Sequence, residues 1–339
     1  MLGSPGSQWK VSVTVHPSDQ TLGDTGEFTV ISEIVRDLPD APDVLVGPGD
    51  DAAVLQLDGP MVTSIDVLVE GVHFRRDWSE ARDVGRKAVA VNVADVEAMG
   101  ARPVGIVIGF SAPADTPLAW ALDFAAGVRE ECATAGVALL GGDITRARDI
   151  TVAGTAFGAL GERAAIRRGG AQNGQIVAVT GRLGWAAAGV AVLGRGFRSP
   201  RAVVEAQRVP HVPYGAGVAA AEAGATSMIY ISDGLLADLG HVATASGVVI
   251  DIARDSLEVP EPLQAVAAAT GSDPHKLILT GGEDHALVAT FAADAALPEG
   301  WTRIGHVRQV AGDEEPTVLV DGVVWADEAG WDHFGGGRR

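Results

Sequence analysis

Asp50 and Asp51 stand side by side in "GPGDDAAVL", between a Gly-Pro-Gly turn and an apolar run. Like charges at that spacing repel, and burying either one unpaired is costly. Acids recur downstream beside glycines or at the apparent ends of strands. Asp66 closes "VTSID", Asp143 follows "LLGG", Asp233 lies in "ISDG", and Glu283 and Asp284 share "TGGEDHA". Asn92 and Asp95 lie three residues apart in a helical pattern and so share a face with Ala88, Val91 and Met99. Each acid alone reads equally well as a turn, a cap or a solvated residue; either Asp233 or Ser232 can cap the helix that follows them. Together they suit Mg2+, which accepts one or two carboxylates per ion and completes its shell with water and phosphate oxygens. The chemistry such a set supports is the handling of a polyphosphate through cations that cancel charge on both sides.

Other phosphate devices are missing. There is no Gly-Lys dipeptide, hence no P-loop, and neither H-E-x-x-H nor G-x-S-x-G occurs. "GPGDDA" fits the spacing of a dinucleotide fingerprint, but two aspartates there would repel a pyrophosphate, and "AVLQL" reads as strand rather than helix.

Positioning these residues requires alternating strands and helices. A helical face of Phe28, Ile31, Ile34, Val35 and Leu38 opens the pattern. "DAAVLQL" and "MVTSI" read as strands around a turn at Asp58-Gly59-Pro60, followed by a long helix over 79–100 with Ser79 as candidate N-cap. "PVGIVIGFSAP" reads as a buried strand. The helix over 115–136 has Thr116 as N-cap and Pro117 at its first position, and "VALLGGD" and "ITVAGTAFGAL" are strand-like. After a polar, glycine-rich stretch at "GERAAIRRGGAQNGQ" a second half runs through strand "IVAVTG", helices "GWAAAGVAVLG", "PRAVVEAQRV" and "GAGVAAAEAG", and strand "SMIYIS". Helix "GLLADLGHVATASG", strand "VVIDI", helix "PLQAVAAATG", strand "HALVATF" and a hairpin turning at Asp321-Gly322 complete it. The expected division is a disordered leader over 1–26, an N-terminal domain over 27–165, a C-terminal domain over 166–334 and a tail over 335–339.

Composition narrows the partners. The 339 residues carry 25 Lys plus Arg against 44 Asp plus Glu, a formal net charge of -19. Such acidity argues against nucleic acid or an anionic membrane as partner. Cys132, the lone cysteine, reads as a small core residue and fits a cytoplasmic protein without disulfides. No run approaches the ~18 apolar residues of a membrane span, and "MLGSPGSQWK" has no signal-peptide core.

"GPGDDAAV", "SIDVLVEGVHF", "NVADVEAMGARP", "GGDITR", "RRGGAQNG", "ISDGLLADLGH", "GGEDHAL" and "WDHF" occur in an order that resembles the thiamine-monophosphate kinases, over about Glu27 to Phe334. That resemblance implies a mixed α/β (α+β) fold of the aminoimidazole ribonucleotide synthetase-like superfamily. It also implies a homodimer in which N-terminal sheets of two subunits form a barrel-like interface, with a separate C-terminal α/β domain. The implied activity is transfer of the ATP γ-phosphoryl group to thiamine monophosphate, with Mg2+ as cofactor. Matching the family's magnesium positions are Asp51, Ser64, Asp66, Asp95, Asp143 and Asp233, with Asp50 beside Asp51 and Ile65 offering a backbone contact. Gly142, Asp143, Arg168 and Ser232 match nucleotide contacts; His73, Glu283 and Trp331 match contacts to thiamine phosphate. Turnover is expected to depend on Asp51, Asp143 and Asp233.

One departure stands out. The family usually reads D-x-S-D-G where this chain reads "YISDG", so Tyr230, a poor Mg2+ ligand, occupies an expected metal position. A non-catalytic homologue that binds nucleotide or thiamine phosphate is therefore a rival reading, as is another ATP-dependent enzyme of the superfamily. Selenophosphate synthesis is disfavoured by the lack of a cysteine near the N-terminus, and ribonucleotide synthesis by "EGVHF" and "WDHF".

Overall fold

A computed structural model describes residues 20–330 except residues 37, 40 and 328. Two helices, α1 (Leu22–Thr25) and α2 (Glu27–Val35), lead into a ribbon of β1 (Val44–Val46) and β2 (Val54–Leu55). A four-stranded sheet then takes the order β3-β6-β4-β5, from β3 (Met61–Val69), β4 (Arg102–Ala112), β5 (Ala138–Arg146) and β6 (Thr151–Ala159). Its pairs are antiparallel except β4 with β5. α3 (Ala81–Ala98) and α4 (Leu118–Ala135) cover one face, burying Val84, Val89, Val93, Phe124 and Val128 against Ile106, Phe110 and Val152. Burying each large side chain of this kind contributes about 1.5–3 kcal/mol.

Alternation along β3 decides what faces the helices. Ser64 and Asp66 are half-buried, whereas Met61, Ile65 and Val67 are 56%, 60% and 41% exposed on the other face. The sheet is open, with β3 and β5 as edges, so the described residues form no closed barrel.

The second half comprises β7 (Ile176–Thr180), α5 (Trp185–Leu193), α6 (Arg201–Arg208), α7 (Ala216–Glu222), β8 (Ser227–Tyr230), α8 (Leu235–Ser246) and β9 (Val248–Ile252). It continues with α9 (Glu261–Thr270), α10 (Pro274–Thr280), β10 (Leu287–Phe291), β11 (Thr302–Gln309), β12 (Thr317–Val320) and β13 (Val323–Val324). Its sheet has the order β13-β12-β9-β11-β7-β10-β8, antiparallel except β9 with β12. Val177, Ile229, Leu236, Leu239, Ile250 and Val288 form the centre of its core. The class is mixed α/β in its α+β form.

Several expectations change. "DAAVLQL" contracts to β2, which pairs with β1 rather than with β3. β3 and β5 run past Asp66 and Asp143 to Val69 and Arg146, so both acids lie within strands rather than at their ends. An edge strand continues through polar residues because one side of it faces water. Helix α3 starts from Glu80, capped reciprocally with Asp83, instead of Ser79, and α4 starts from Pro117 instead of Thr116. Residues 20–26, placed in the leader by sequence, are tied to the loop before α4: Leu22 N–H donates to Thr116 O at 3.0 Å and Gly23 N–H to Ala114 O at 2.9 Å. No helix among the described residues is long and apolar enough to cross a membrane.

Candidate active site

The site is built where β3 meets α3. As an edge strand, β3 has backbone N–H groups that no neighbouring strand satisfies. The buried Asn92 supplies one acceptor: its Oδ1 takes the Asp66 N–H at 2.9 Å, while its Nδ2 donates to Ala88 O at 2.8 Å. Gly154 on β6 makes room, since a Cβ there would come within 2.3 Å of Asn92 Nδ2. One helical turn on, Asp95 accepts hydrogen bonds from the Ser64 and Tyr230 hydroxyls. The spacing of Asn92 and Asp95 on the helix thus matches that of Asp66 and Ser64 on the strand.

These carboxylates lack strong compensation. Burial, then the nearby charges of Asp95 and Glu283, push the Asp66 pKa up to about 7. Burial also raises Asp95, against the opposing pull of the Ser64 and Tyr230 hydroxyls and the Arg168 charge. Tyr230 itself is pushed far up by burial and by the charges of Asp95 and Asp66, so it remains a neutral donor. Its ring stacks on His285 with centroids 5.6 Å apart.

A second carboxylate meets the opposite environment. Glu283 Oε2 lies 2.7 Å from the Lys87 ammonium, which also donates to His73 O at 3.0 Å. Burial alone would raise Glu283; Lys87, aided by His285 and His73, outweighs it and holds the carboxyl down at about 2. Glu283 and His285 adopt φ of 69° and 53°, left-handed values that are strained for residues other than glycine. Between them, buried Asp284 caps α5 by accepting from Gly184 N–H at 2.5 Å and Ala186 N–H at 2.8 Å. Burial lifts Asp284 to about 7 despite those donors, and lowers His285 to about 4. His73 Nδ1 accepts the Val69 N–H at 3.0 Å, which leaves Nε2 as the protonated nitrogen of its neutral form.

The loop between β8 and α8 is held from inside the helix. One Asp238 oxygen accepts from the backbone N–H groups of Ser232, Asp233 and Gly234 at 3.0, 3.0 and 3.1 Å. Gly234 occupies the N-cap position without a side-chain bond of its own, so the capping considered for Asp233 and Ser232 falls to Asp238. Glu283 N–H donates to Ser232 O at 2.8 Å, joining this loop to the Glu283 segment.

Hydrogen bonds and through-space charge effects therefore link Ser64, Asp66, Asp95, Arg168, Tyr230, Ser232, Glu283 and His73, with Asp233 on the Asp238 loop. The remaining residues lie elsewhere. Asp50 and Asp51 are exposed on the β1–β2 connection, where Asp51 N–H donates to Asp50 Oδ1 at 2.9 Å. Ile65 points to the open face of the sheet. Asp143 pairs across the sheet with Gly109, Ala153 and Val67, which sets it on that open face as well. Gly142 is in line with Asp66 across three strand spacings, about 14 Å, and a Cβ there would come within 1.9 Å of Ile108 O. A cavity of about 60 Å³ beside Gly142 and Asp143 is lined mainly by apolar residues such as Ile31, Ile34, Phe124 and Leu139. Trp331 lies outside the described residues.

Lys87 and Asn92 were not assigned contact roles by sequence. A lysine amid "VGRKAVAVNV" offered a signal, since a charged residue inside an apolar helical run is normally excluded.

Among the described residues no group of three or more His, Cys, Asp or Glu side chains converges as a metal site. What does come together is Asp95, hydrogen-bonded to the Ser64 hydroxyl, with Asp66 near enough for the charges of the two acids to interact. That oxygen set fits Mg2+, which uses one or two protein carboxylates and leaves the rest of its shell to water and phosphate.

The chain matches the family described as "AIR synthase related protein, N-terminal domain" over residues 49–160. It is 48% identical over 317 residues to a thiamine-monophosphate kinase of Mycobacterium tuberculosis, covering 93% of each chain. The fold is similar to the crystal structure of thiamine-monophosphate kinase from Stenotrophomonas maltophilia, with a TM-score of 0.73, 31% identity and coverage of 87% of this chain and 95% of that one. It is also similar to AaThiL complexed with AMPPCP and TMP, with a TM-score of 0.75, 29% identity and coverage of 95% of this chain and 100% of that one.

Proposed function

This chain belongs to the thiamine-monophosphate kinase family, and from that premise we infer that it moves the γ-phosphoryl group of ATP onto the phosphate of thiamine monophosphate. The products are ADP and thiamine diphosphate. The observation that carries this reading is 48% identity along 93% of the chain to a protein of that name.

The acceptor oxygen belongs to a phosphate already ionised at neutral pH, so no strong general base is required. The task is positioning and cancelling charge. Asp66 and Asp95, with Ser64, are the first candidates to hold Mg2+; Asp50, Asp51, Asp143, Asp233 and the Ile65 backbone complete the proposed set. When bound, Mg2+ supplies charge neutralisation and a template for the phosphate oxygens. Tyr230 orients Asp95 by donating to it. Arg168, exposed and near enough for its charge to act on Asp95, is the proposed clamp on nucleotide phosphate, with Gly142 and Ser232 as further contacts. Glu283, ionised across the working range, accepts only, which suits an amino-bearing ring of the acceptor; His73 and Trp331 are its proposed companions.

We also propose a homodimer, a cytoplasmic location and a division into domains near residue 165. Support for the dimer comes from the exposed face of Met61, Ile65 and Val67, which a second copy of the sheet would cover. A coupled assay for ADP with thiamine monophosphate tests the reading, with thiamine and aminoimidazole precursors as controls. ADP release with thiamine monophosphate alone is expected. Thermal stabilisation by ligand without ADP release would favour the non-catalytic alternative.

A further inference from the structure

Lys87 has no role in the reading above, and its surroundings are unusual. Its side chain is only 2% exposed, so it is shielded from solvent. A buried ammonium is costly unless it is paired and hydrogen-bonded. Lys87 spends two of its three donors on His73 O, at 3.0 Å, and Glu283 Oε2, at 2.7 Å. Its two partners belong to segments far apart in sequence, the turn after β3 and the loop before β10. Both are proposed acceptor contacts.

Each segment is tightly specified around that grip. In the turn, Gly71 N–H donates to Phe74 O at 2.8 Å and Val69 N–H to His73 Nδ1 at 3.0 Å. In the loop, Glu283 holds a left-handed φ of 69° while its N–H is bound to Ser232 O. Such a backbone persists when its surroundings over-determine it. The ion pair supplies one of those constraints. It also keeps the Glu283 carboxylate turned to a cation within the protein, although Asp66 is close enough to feel its charge.

We propose that Lys87 is a positioning residue for the acceptor substrate: it fixes Glu283 and the His73 turn relative to one another and separates acceptor recognition from the Asp66–Asp95 pair. This rests on the assignment of Glu283 and His73 to the acceptor. The full-length protein is compared with Lys87→Met, Lys87→Gln, Lys87→Arg and the double variant Lys87→Met/Glu283→Gln. KM for thiamine monophosphate and for ATP is measured separately, and thiamine monophosphate alone is titrated by calorimetry. A displaced contact costs up to about a hundredfold, so Lys87→Met is expected to raise the acceptor KM and Kd by about tenfold or more while the ATP KM stays within about twofold. Lys87→Arg restores part of the loss. The double variant loses less than the product of the single losses, because both substitutions break one unit.

An ion pair that serves stability alone would lower Tm and the active fraction with both KM values unchanged, and that result overturns the proposal. So does multiplicative loss in the double variant. Should Lys87→Met fail to fold, Lys87→Gln, which keeps a donor of similar length, is read by the same criteria. If wild-type protein binds thiamine monophosphate without releasing ADP, the kinase reading fails and the Kd ratios still decide for or against Lys87. If wild-type protein does not bind it, both fall.

Discussion

Asp66 and Glu283 feel each other's charge, yet their environments drive them in opposite directions. Glu283 has a cation from the chain itself, Lys87, and is held at about 2. Asp66 has Asp95 beside it and is raised to about 7; among the described residues neither acid forms an ion pair. Both groups are half-buried, so the difference lies in the partner supplied. The protein completes the charge balance at Glu283 and leaves it incomplete at Asp66 and Asp95. A carboxylate already neutralised by lysine is suited to an acceptor's hydrogen-bond donors, whereas a crowded pair with only partial compensation is suited to an external cation.

Breaking the partly compensated side should have the largest effect. Asp66→Asn and Asp95→Asn are each expected to cut kcat by about a thousandfold with the fold retained, as circular dichroism would report, because cation-assisted charge neutralisation is worth several kcal/mol. Asp51→Asn and Asp143→Asn belong in the same experiment. Loss as deep as that of Asp66→Asn would bring the exposed acids into the working site; near-normal turnover would remove them from the proposed metal set.

A smaller effect sharpens the comparison by adding charge. Tyr230→Asp places a third carboxylate beside Asp95. The Mg2+ concentration for half-maximal rate is expected to fall severalfold, while Tm without metal drops through like-charge repulsion. An unchanged or higher Mg2+ requirement would show that Tyr230 costs the site nothing.

The smallest effects are those of pH on stability. The Asp66 pKa is raised in the folded protein, from 3.8 to about 7, so its contribution to stability is present below 3.8 and lost as pH rises through 7. Asp66→Asn should therefore raise Tm by a few degrees at pH 8 and give no gain at pH 3.5. Glu283 is depressed, from 4.5 to about 2, so its contribution is present above 4.5 and lost as pH falls toward 2. Its partial exposure screens the size of this term. Glu283→Gln should lower Tm at pH 8, with the deficit shrinking below pH 4. Melting curves that shift in the same direction for both variants at pH 8 would erase the contrast.

Periodicity made much of this arrangement readable. The three-residue spacing placed Asn92 and Asp95 on one helix face, and the order of the motifs reached the family and with it Ser64, whereas the shared face of Ser64 and Asp66 on β3 emerges only in the structure. Periodicity was weakest where charge interrupts a buried element. β11 was missed because Arg303, His306 and Arg308 break its apolar run, although Ile304 and Val307 are buried in the centre of a sheet. Lys87 stands out as a charge inside the apolar run of α3, but nothing local names its partner. α10 is short, and its signals, Asp273 as N-cap and Pro274 at the first position, are only two residues wide. The opposite environments of Asp66 and Glu283 had no local signature, since the lysine that separates them is 196 residues from Glu283 in the chain.

Proton release on metal binding tests the contrast most directly. Mg2+ is titrated at pH 6.5 into protein saturated with AMPPCP, using calorimetry in buffers of different ionisation enthalpy. A carboxylate with a pKa near 7 must lose its proton to serve as a ligand. Wild-type protein should release a large fraction of a proton per Mg2+ bound, and Asp66→Asn should release markedly less. Equal release by the two proteins, or Mg2+ binding to wild type with no proton released, would contradict an Asp66 that awaits its cation.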